Sequence, residues 1–297
     1  MKHPVIFTLR LAVLVGVSLI APALAVVNID WVPVGNAGNA ADTTGYGAIS
    51  YAYQIGKYEV TNSQYVEFLN AKGSSNSYGI YNSAMASYGI AQTGSAGSYT
   101  YSVTNGLENR PVVYVSWYDA ARFTNWLANG QGSGSMETGA YTLNGNSGII
   151  TVNVGATVYI PSEDEWYKAA YYNGGTSAYS LYPNGQNTIT TADANYNSSG
   201  STNVGSYSGD PSSYGTFDQG GNVIEWNDTV VISGTSRGLR GGSWSSDDGI
   251  MRSSGRGDIY PSNENHVIGF RVASIPEPTS INLTMFASGM MLTRRKR

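Results

Sequence analysis

Residues 161–175 read PSEDEWYKAAYYNGG, and this stretch sets the fold class of the chain. Ser162 and Glu165 have the Ser-x-x-Glu spacing of a capping box, in which each side chain accepts a backbone N–H at the start of a helix. Apolar side chains then recur on one helical face: Trp166, Ala169 and Ala170. The stretch predicts a short amphipathic helix that begins after Ser162.

Two other stretches predict helices of the same kind. Residues 60–73, VTNSQYVEFLNAKG, place Thr61 and Gln64 at capping-box spacing, and Gly73 is the predicted end. Residues 116–130, SWYDAARFTNWLANG, have polar starting residues and a predicted glycine stop: Ser116, Asp119 and Gly130. Three short helices set among strand and turn signals indicate an α+β domain.

The remaining chain is rich in turn signals. Residues 139–160 predict a β-hairpin because an Asn-Gly turn is followed by alternating β-branched residues. Residues 73–102, in which Ser-Tyr-Gly-Ile occurs twice, predict an irregular surface loop. No long helical pattern follows residue 173. We therefore expect one α+β domain over residues 26–275, with much irregular structure.

Composition excludes several kinds of site. The 297 residues include no cysteine, so disulfides, thiolate metal sites and cysteine nucleophiles are absent. Two histidines, His3 and His266, are too few for a multi-histidine metal centre. Omitting both chain ends removes six of 16 basic residues and one of 20 acidic residues, so residues 26–275 carry a formal charge of −9. This acidity argues against nucleic acid as a partner.

Both chain ends have the composition of targeting segments. Residues 1–25 combine a basic start, an apolar run and an Ala-Leu-Ala ending, which predicts a cleaved signal peptide; the alternative is a membrane anchor, for which the apolar run is short. Residues 276–297 contain Pro-Glu-Pro, an apolar stretch and the basic tail RRKR, an order that predicts transient membrane contact. This tail resembles the PEP-CTERM sorting signal of Gram-negative bacteria. The resemblance implies processing by an exosortase and a location at the cell surface or in the extracellular matrix.

Six blocks in order resemble the formylglycine-generating enzyme, or sulfatase-modifying factor, family: YQIGKYEVTNSQYVEFLN, RPVVYVSWYDAARFTNWL, IPSEDEWYKAA, GGNVIEW, LRGGSW and IGFRVA. The resemblance covers most of the chain between the targeting segments. It implies a C-type-lectin-like fold with much irregular structure, in agreement with the α+β prediction.

The resemblance also implies where the copper-binding cysteine pair of the oxidases would lie. Counted from the Gly-Gly-Ser segment at 241–243, the two positions fall on Ser246 and Met251. A hydroxyl and a thioether cannot replace two thiolates around Cu(I). No catalytic residue is therefore predicted, and copper is not expected as a cofactor.

The polar loop GGSWSSDDGIMRSSGR, residues 241–256, supplies the candidate ligand-binding residues: Ser243, Trp244, Arg252 and Arg256. Its arginines suit a carboxylate or phosphate ligand. The alternative is structural: Ser243 bonds the local backbone, and these arginines, with Arg240 and Arg271, pair with loop acids among Asp247, Asp248 and Asp258.

Calcium is the metal that the resemblance implies. One family site matches the GNxxEW block, where Asn222, the Val223 carbonyl and Glu225 provide oxygen ligands. A second family site matches Asn195 and the Tyr196 carbonyl, but its downstream aspartate has no counterpart here. The alternative role for Glu225 is an ion pair with a loop arginine.

These observations favour an exported, non-catalytic module that binds a surface glycan or protein or serves a structural role. Tyrosines within residues 78–101 either pack the loops or form a sugar-stacking surface. The alternatives are enzymatic: formylglycine generation, which the absence of cysteine opposes, or another activity on the same fold, such as iron-dependent sulfur transfer.

Overall fold

The computed structural model describes residues 26–276, apart from 144, 146–148 and 233. The predicted signal peptide and nearly all of the predicted sorting tail lie outside the described residues. Within the described ranges, none of the helices is long and apolar enough to cross a membrane.

The three predicted helices are present: α1 (Asn62–Lys72), α2 (Trp117–Ala128) and α3 (Glu163–Tyr171). Each begins with a reciprocal capping box. In α3, the Ser162 N–H donates to Glu165 Oε2 at 2.8 Å, and the Glu165 N–H donates to Ser162 Oγ at 3.2 Å. Gly73 is the C-cap of α1 as predicted, whereas Asn129 rather than Gly130 is the C-cap of α2.

Two four-stranded sheets carry the domain. The first joins both ends of the described chain and has the antiparallel order β1 (Trp31–Val34), β2 (Tyr53–Gly56), β12 (Ala273–Ser274) and β5 (Val158–Tyr159). The second has the order β10 (Gly257–Ile259), β9 (Arg237–Arg240), β8 (Ile224–Val230) and β11 (Ile268–Gly269), with β11 parallel to β8. Two small ribbons complete the assignment: β3 (Ile90–Thr93) with β4 (Thr100–Val103), and β6 (Tyr172–Asn173) with β7 (Ala178–Tyr179). The α+β prediction is confirmed.

The largest core cluster lies between α1, α2 and the strands near the C-terminus. Phe123 of α2 is at its centre, with ring centroids 5.7 Å from Phe68 and 5.5 Å from Phe270. Trp226 of β8 is fully buried, and its indole N–H donates to the Val115 carbonyl at 3.0 Å. This core fixes β8 and therefore the loop that leads into it.

Two loop predictions were wrong. Among the described residues of 139–160 the only strand is β5, which pairs with β12 instead of forming a hairpin. Here Asn125 of α2 binds the backbone of Tyr141 and Met136, so tertiary contacts hold this segment. Residues 73–102 contain a 3₁₀-helix (Ser83–Ser87) and the β3–β4 ribbon, because several of their apolar side chains enter the core: Ile80, Met85, Ile90 and Tyr101.

Candidate functional site

Strand β9 ends in a glycine turn that sets up the candidate loop. Gly241 and Gly242 have φ values of +95° and +71°, a region that glycine adopts without strain. A side chain on Gly241 would also collide with the Gln219 carbonyl, at 2.7 Å from the added Cβ. The Trp244 N–H then donates to the Asn222 carbonyl at 2.8 Å, which ties this loop to the loop before β8.

Ser246 and Met251 lie at one point of this turn, as the family resemblance implies for the cysteine pair. A Cβ added to Gly242 would lie 3.1 Å from Met251 Cγ and 3.5 Å from Ser246 Cβ. Met251 is fully buried against Tyr182 and other apolar residues, so its thioether fills core space. The two positions that the resemblance assigns to the cysteine pair thus lie close together in this structure, and they hold a hydroxyl and a thioether.

Ser243 belongs to a local network of hydroxyl groups. It is buried, and its Oγ lies 3.2 Å from the Oγ atoms of Ser245 and Ser246. Its N–H donates to Ser246 Oγ at 3.0 Å. No histidine or carboxylate contacts Ser243 Oγ among the described residues, so this serine has no general base beside it.

The arginines of the loop have carboxylate partners. Arg240 and Arg256 both donate from Nε to Glu163 Oε1 at 2.7 Å, and Arg256 Nη2 donates to Glu163 Oε2 at 2.9 Å. Arg252 pairs with Asp248 at 3.3 Å on the exposed side of the loop. The predicted partner was correct for Arg252 and wrong for Arg240, Arg256 and Arg271. The acid of Arg240 and Arg256 comes from the first turn of α3, far away in sequence, and that of Arg271 is Glu225.

The residues of both predicted calcium sites meet beside this loop. Asn195 Nδ2 lies 3.3 Å from Asn222 Oδ1, and the Asn222 N–H donates to the Asn195 carbonyl at 2.9 Å. Tyr196 is buried, and its hydroxyl donates to the Ile189 carbonyl at 3.2 Å. Val223 is fully buried at the start of β8.

Glu225 forms a fully buried ion pair. Its Oε2 accepts from Arg271 Nε at 2.6 Å and from Trp166 Nε1 at 2.8 Å, and its Oε1 accepts from Arg271 Nη2 at 2.6 Å. A cation at this carboxylate would have to displace Arg271, so the arrangement of Glu225 does not fit a calcium ligand. The described residues include no group of three or more acidic or histidine side chains that could hold a metal ion, and a site built from amide and carbonyl oxygens is a separate case. Calcium binding at this loop stays a prediction.

The sequence analysis did not single out a pair of acidic residues that also lies at this loop. Glu59 is buried and Asp218 is half-buried near Arg271, and Glu59 Oε1 accepts from Asn222 Nδ2 at 3.0 Å. Burial raises the pKa of Glu59 well above its usual range, with a further rise from the charge of Asp218. Burial also raises the pKa of Asp218 to about 6. Nothing in the sequence separates these acids from exposed ones, because their burial arises from the fold.

Four aromatic rings form a half-buried surface beside the candidate loop: Trp244, His266, Tyr88 and Tyr114, called here the aromatic face. The His266 ring lies 5.7 Å from Trp244 and 6.0 Å from Tyr88, measured between centroids. Tyr114 has a φ of +59°, an uncommon value for a bulky residue that tends to mark functional sites. His266 is the centre of this cluster, because its ring lies near all three of the others.

Comparison with known proteins gives relatives of several kinds. The chain is 28% identical over 243 residues to "Serine/threonine-protein kinase pkn1" of Chlamydia pneumoniae, covering 76% of this chain and 33% of that protein. It is 24% identical over 253 residues to "Hercynine oxygenase" of Mycobacterium tuberculosis, covering 75% of this chain and 52% of that protein. The chain therefore spans between a third and a half of the length of these relatives.

Two solved structures share the fold. CarF superposes with a TM-score of 0.60 at 24% identity, covering 85% of this chain and 100% of that chain. Treponema denticola variable protein 1 superposes with a TM-score of 0.58 at 22% identity, covering 86% and 98%. Residues 34–275 match the family model described as "Sulfatase-modifying factor enzyme 1-like domain". With a match over most of its length, the chain belongs to the sulfatase-modifying factor enzyme 1-like domain family.

Proposed function

We propose that this protein is an exported, non-catalytic binding module that uses the aromatic face beside the Gly241–Trp244 turn to hold a surface glycan or protein. The observation that carries the proposal is a glycine turn at which Ser246 and Met251 lie together and no thiol is present. Ser246 and Met251 meet at Gly242, where the family resemblance places a copper-binding cysteine pair, and the sequence has no cysteine.

The composition of the aromatic face supports a ligand-binding role for this site. Tyrosine, tryptophan and histidine rings offer apolar faces together with polar edges, a combination suited to sugars and to protein partners. Trp244 is held by the hydrogen bond from its N–H to the Asn222 carbonyl, and Tyr114 by one from its N–H to the Asn265 carbonyl at 3.0 Å. Because the backbones are fixed, little conformational entropy is lost when a ligand stacks on these rings.

The test is a glycan and cell-envelope binding screen with the purified protein, the Trp244→Ala/His266→Ala variant and a control. Tyr260→Ala is the control because this tyrosine is also exposed and lies outside the aromatic face. We expect ligands of the wild type to be lost by the double variant and kept by the control. Ligands bound equally by all three proteins would refute the aromatic face as the binding surface.

The proposed location rests on the sequence of the two chain ends. A signal peptide at 1–25 and a PEP-CTERM-like segment at 276–297 support export, processing by an exosortase-type system and retention at the surface or in the matrix of a Gram-negative-type bacterium. The formal charge of −9 over residues 26–275 supports a partner other than nucleic acid.

Enzymatic activity is the second candidate function, and membership of the sulfatase-modifying factor enzyme 1-like domain family favours testing formylglycine generation. The test is an assay of the purified protein with a sulfatase-motif peptide and added copper. Formylglycine production would overturn the binding-module proposal. The kinase name of the chlamydial relatives is not transferred, because this chain spans about a third of their length.

A further inference from the structure

A cleft of about 470 Å³ lies between residues 152–157, β5 and the start of α3. Tyr51 and the described end of the chain, Ile275 and Pro276, complete its wall. We propose that this cleft binds a small organic cation, an ammonium or guanidinium group on an apolar body. The proposal does not depend on the proposed function, because none of the lining residues belongs to the aromatic face.

Both charged side chains that line the cleft are acidic. Glu165 and Asp228 line it, and no lysine or arginine is among its lining residues. The guanidinium nearest to Asp228 belongs to Arg237, which donates from Nη1 to Asp228 Oδ1 at 3.0 Å. Glu165 is fully buried and its oxygens already accept from two tyrosine hydroxyls and the Ser162 N–H, so it contributes charge without direct contact. Asp228 is partly exposed, so a cation would gain a charge-assisted contact there, whereas an anionic ligand would meet an acidic lining.

The two tyrosine hydroxyl groups of the cleft are arranged as acceptors. The Tyr51 and Tyr159 hydroxyls both donate to Glu165 Oε1, at 3.0 Å and 2.7 Å. Since each hydroxyl proton is engaged, the oxygen lone pairs are what these groups offer to a ligand. Ammonium and guanidinium groups have only donors, so they match these acceptors. The tyrosine rings can add a cation–π contribution.

The rest of the wall suits an apolar body attached to that cation. Val152, Ala156 and Ile275 contribute aliphatic surface beside the two tyrosines. A cleft of this size, mostly apolar with a few converging polar groups, has the form of a small-molecule site. The expected ligand therefore has one charged end and one apolar end.

The protonation of Asp228 gives the site a pH dependence. Burial raises the pKa of Asp228 to about 7, with Glu165 adding to the rise and Arg237 and the Tyr141 hydroxyl opposing it. A bound cation favours the ionised carboxylate. Affinity for the cation should therefore increase between pH 6 and pH 8.

The experiment is calorimetric titration of the full chain with three probes of matched shape: phenethylammonium, 2-phenylethanol and phenylacetate. We expect the ammonium to bind about tenfold or more tightly than the alcohol, as one charge-assisted contact would give, and phenylacetate not to bind. Equal binding of the ammonium and the alcohol would show a neutral apolar pocket and would overturn the proposal. So would the absence of ammonium binding at millimolar concentration.

Variants assign the binding to this cleft. Asp228→Asn and Tyr51→Phe should each weaken binding of phenethylammonium, and Asp258→Asn, which removes an exposed acid of β10, should not. If Asp228→Asn does not fold, Tyr51→Phe and Ala156→Phe, which places a large ring in the cleft wall, still decide the matter. Undiminished binding by these two variants would place the ammonium elsewhere and refute the site.

Discussion

Replacing Glu225 with glutamine tests what holds the loop before β8. The substitution keeps the size of the side chain and removes the negative charge between Arg271 and Trp166. Both Glu225 and Arg271 are fully buried, and two Arg271 nitrogens bind the carboxylate at 2.6 Å. Arg271 would remain charged because its other donors stay bound to the carbonyls of Gly56 and Phe217.

The magnitude follows from removing the direct carboxylate partner of the buried Arg271, with Glu59 and Asp218 as its remaining acidic neighbours. Breaking such a pair typically costs about 3–5 kcal/mol of the free energy of unfolding. For a domain of this size each kcal/mol lowers the Tm by roughly 2–4 °C, so we expect a fall of roughly 6–20 °C for Glu225→Gln. The measurement is thermal unfolding followed by circular dichroism.

Calcium and a matched ion pair provide the controls. If Glu225 acts through Arg271, the fall in Tm is the same in calcium and in chelator. Asp248→Asn breaks the exposed pair with Arg252 and should leave the Tm unchanged. An unchanged Tm for Glu225→Gln in chelator, together with a calcium-dependent rise seen only in the wild type, would refute the ion-pair account and establish Glu225 as a calcium ligand.

Three further predictions concern the buried Glu59, the positions Ser246 and Met251, and the C-terminal residues 276–297. Because the folded-state pKa of Glu59 is raised, its protonated form stabilises the fold at low pH, and this stability is lost as pH rises. The Tm should therefore fall from pH 5 to pH 8, and it should fall less steeply in Glu59→Gln. An equal slope in both proteins would contradict this reasoning. The wild type should take up no stoichiometric Cu(I), measured by elemental analysis, and Ser246→Cys/Met251→Cys should gain copper binding; uptake by the wild type would contradict the role of the missing thiols. Deleting residues 276–297 should release or mislocalise the protein in cell fractionation, and unchanged surface retention would count against a sorting signal.

Local signals in the sequence were sufficient for the helices. Each capping box joins residues three positions apart, so Thr61, Ser116 and Ser162 could be assigned as N-caps before any tertiary contact was known. The family blocks were equally visible in the sequence because they are contiguous. The absence of cysteine, which removes the copper chemistry, is a matter of composition alone.

Only the tertiary structure decided which side chains share a site. Glu163 meets Arg240 and Arg256 across 77 and 93 residues, and Glu59 meets Asn222 across 163. The aromatic face and the cleft beside Tyr51 likewise gather side chains from separate segments. The predicted hairpin within 139–160 failed for the same reason. In a domain with few long strands, irregular chain takes its hydrogen bonds and its burial from distant residues, and no local pattern of sequence encodes those partners.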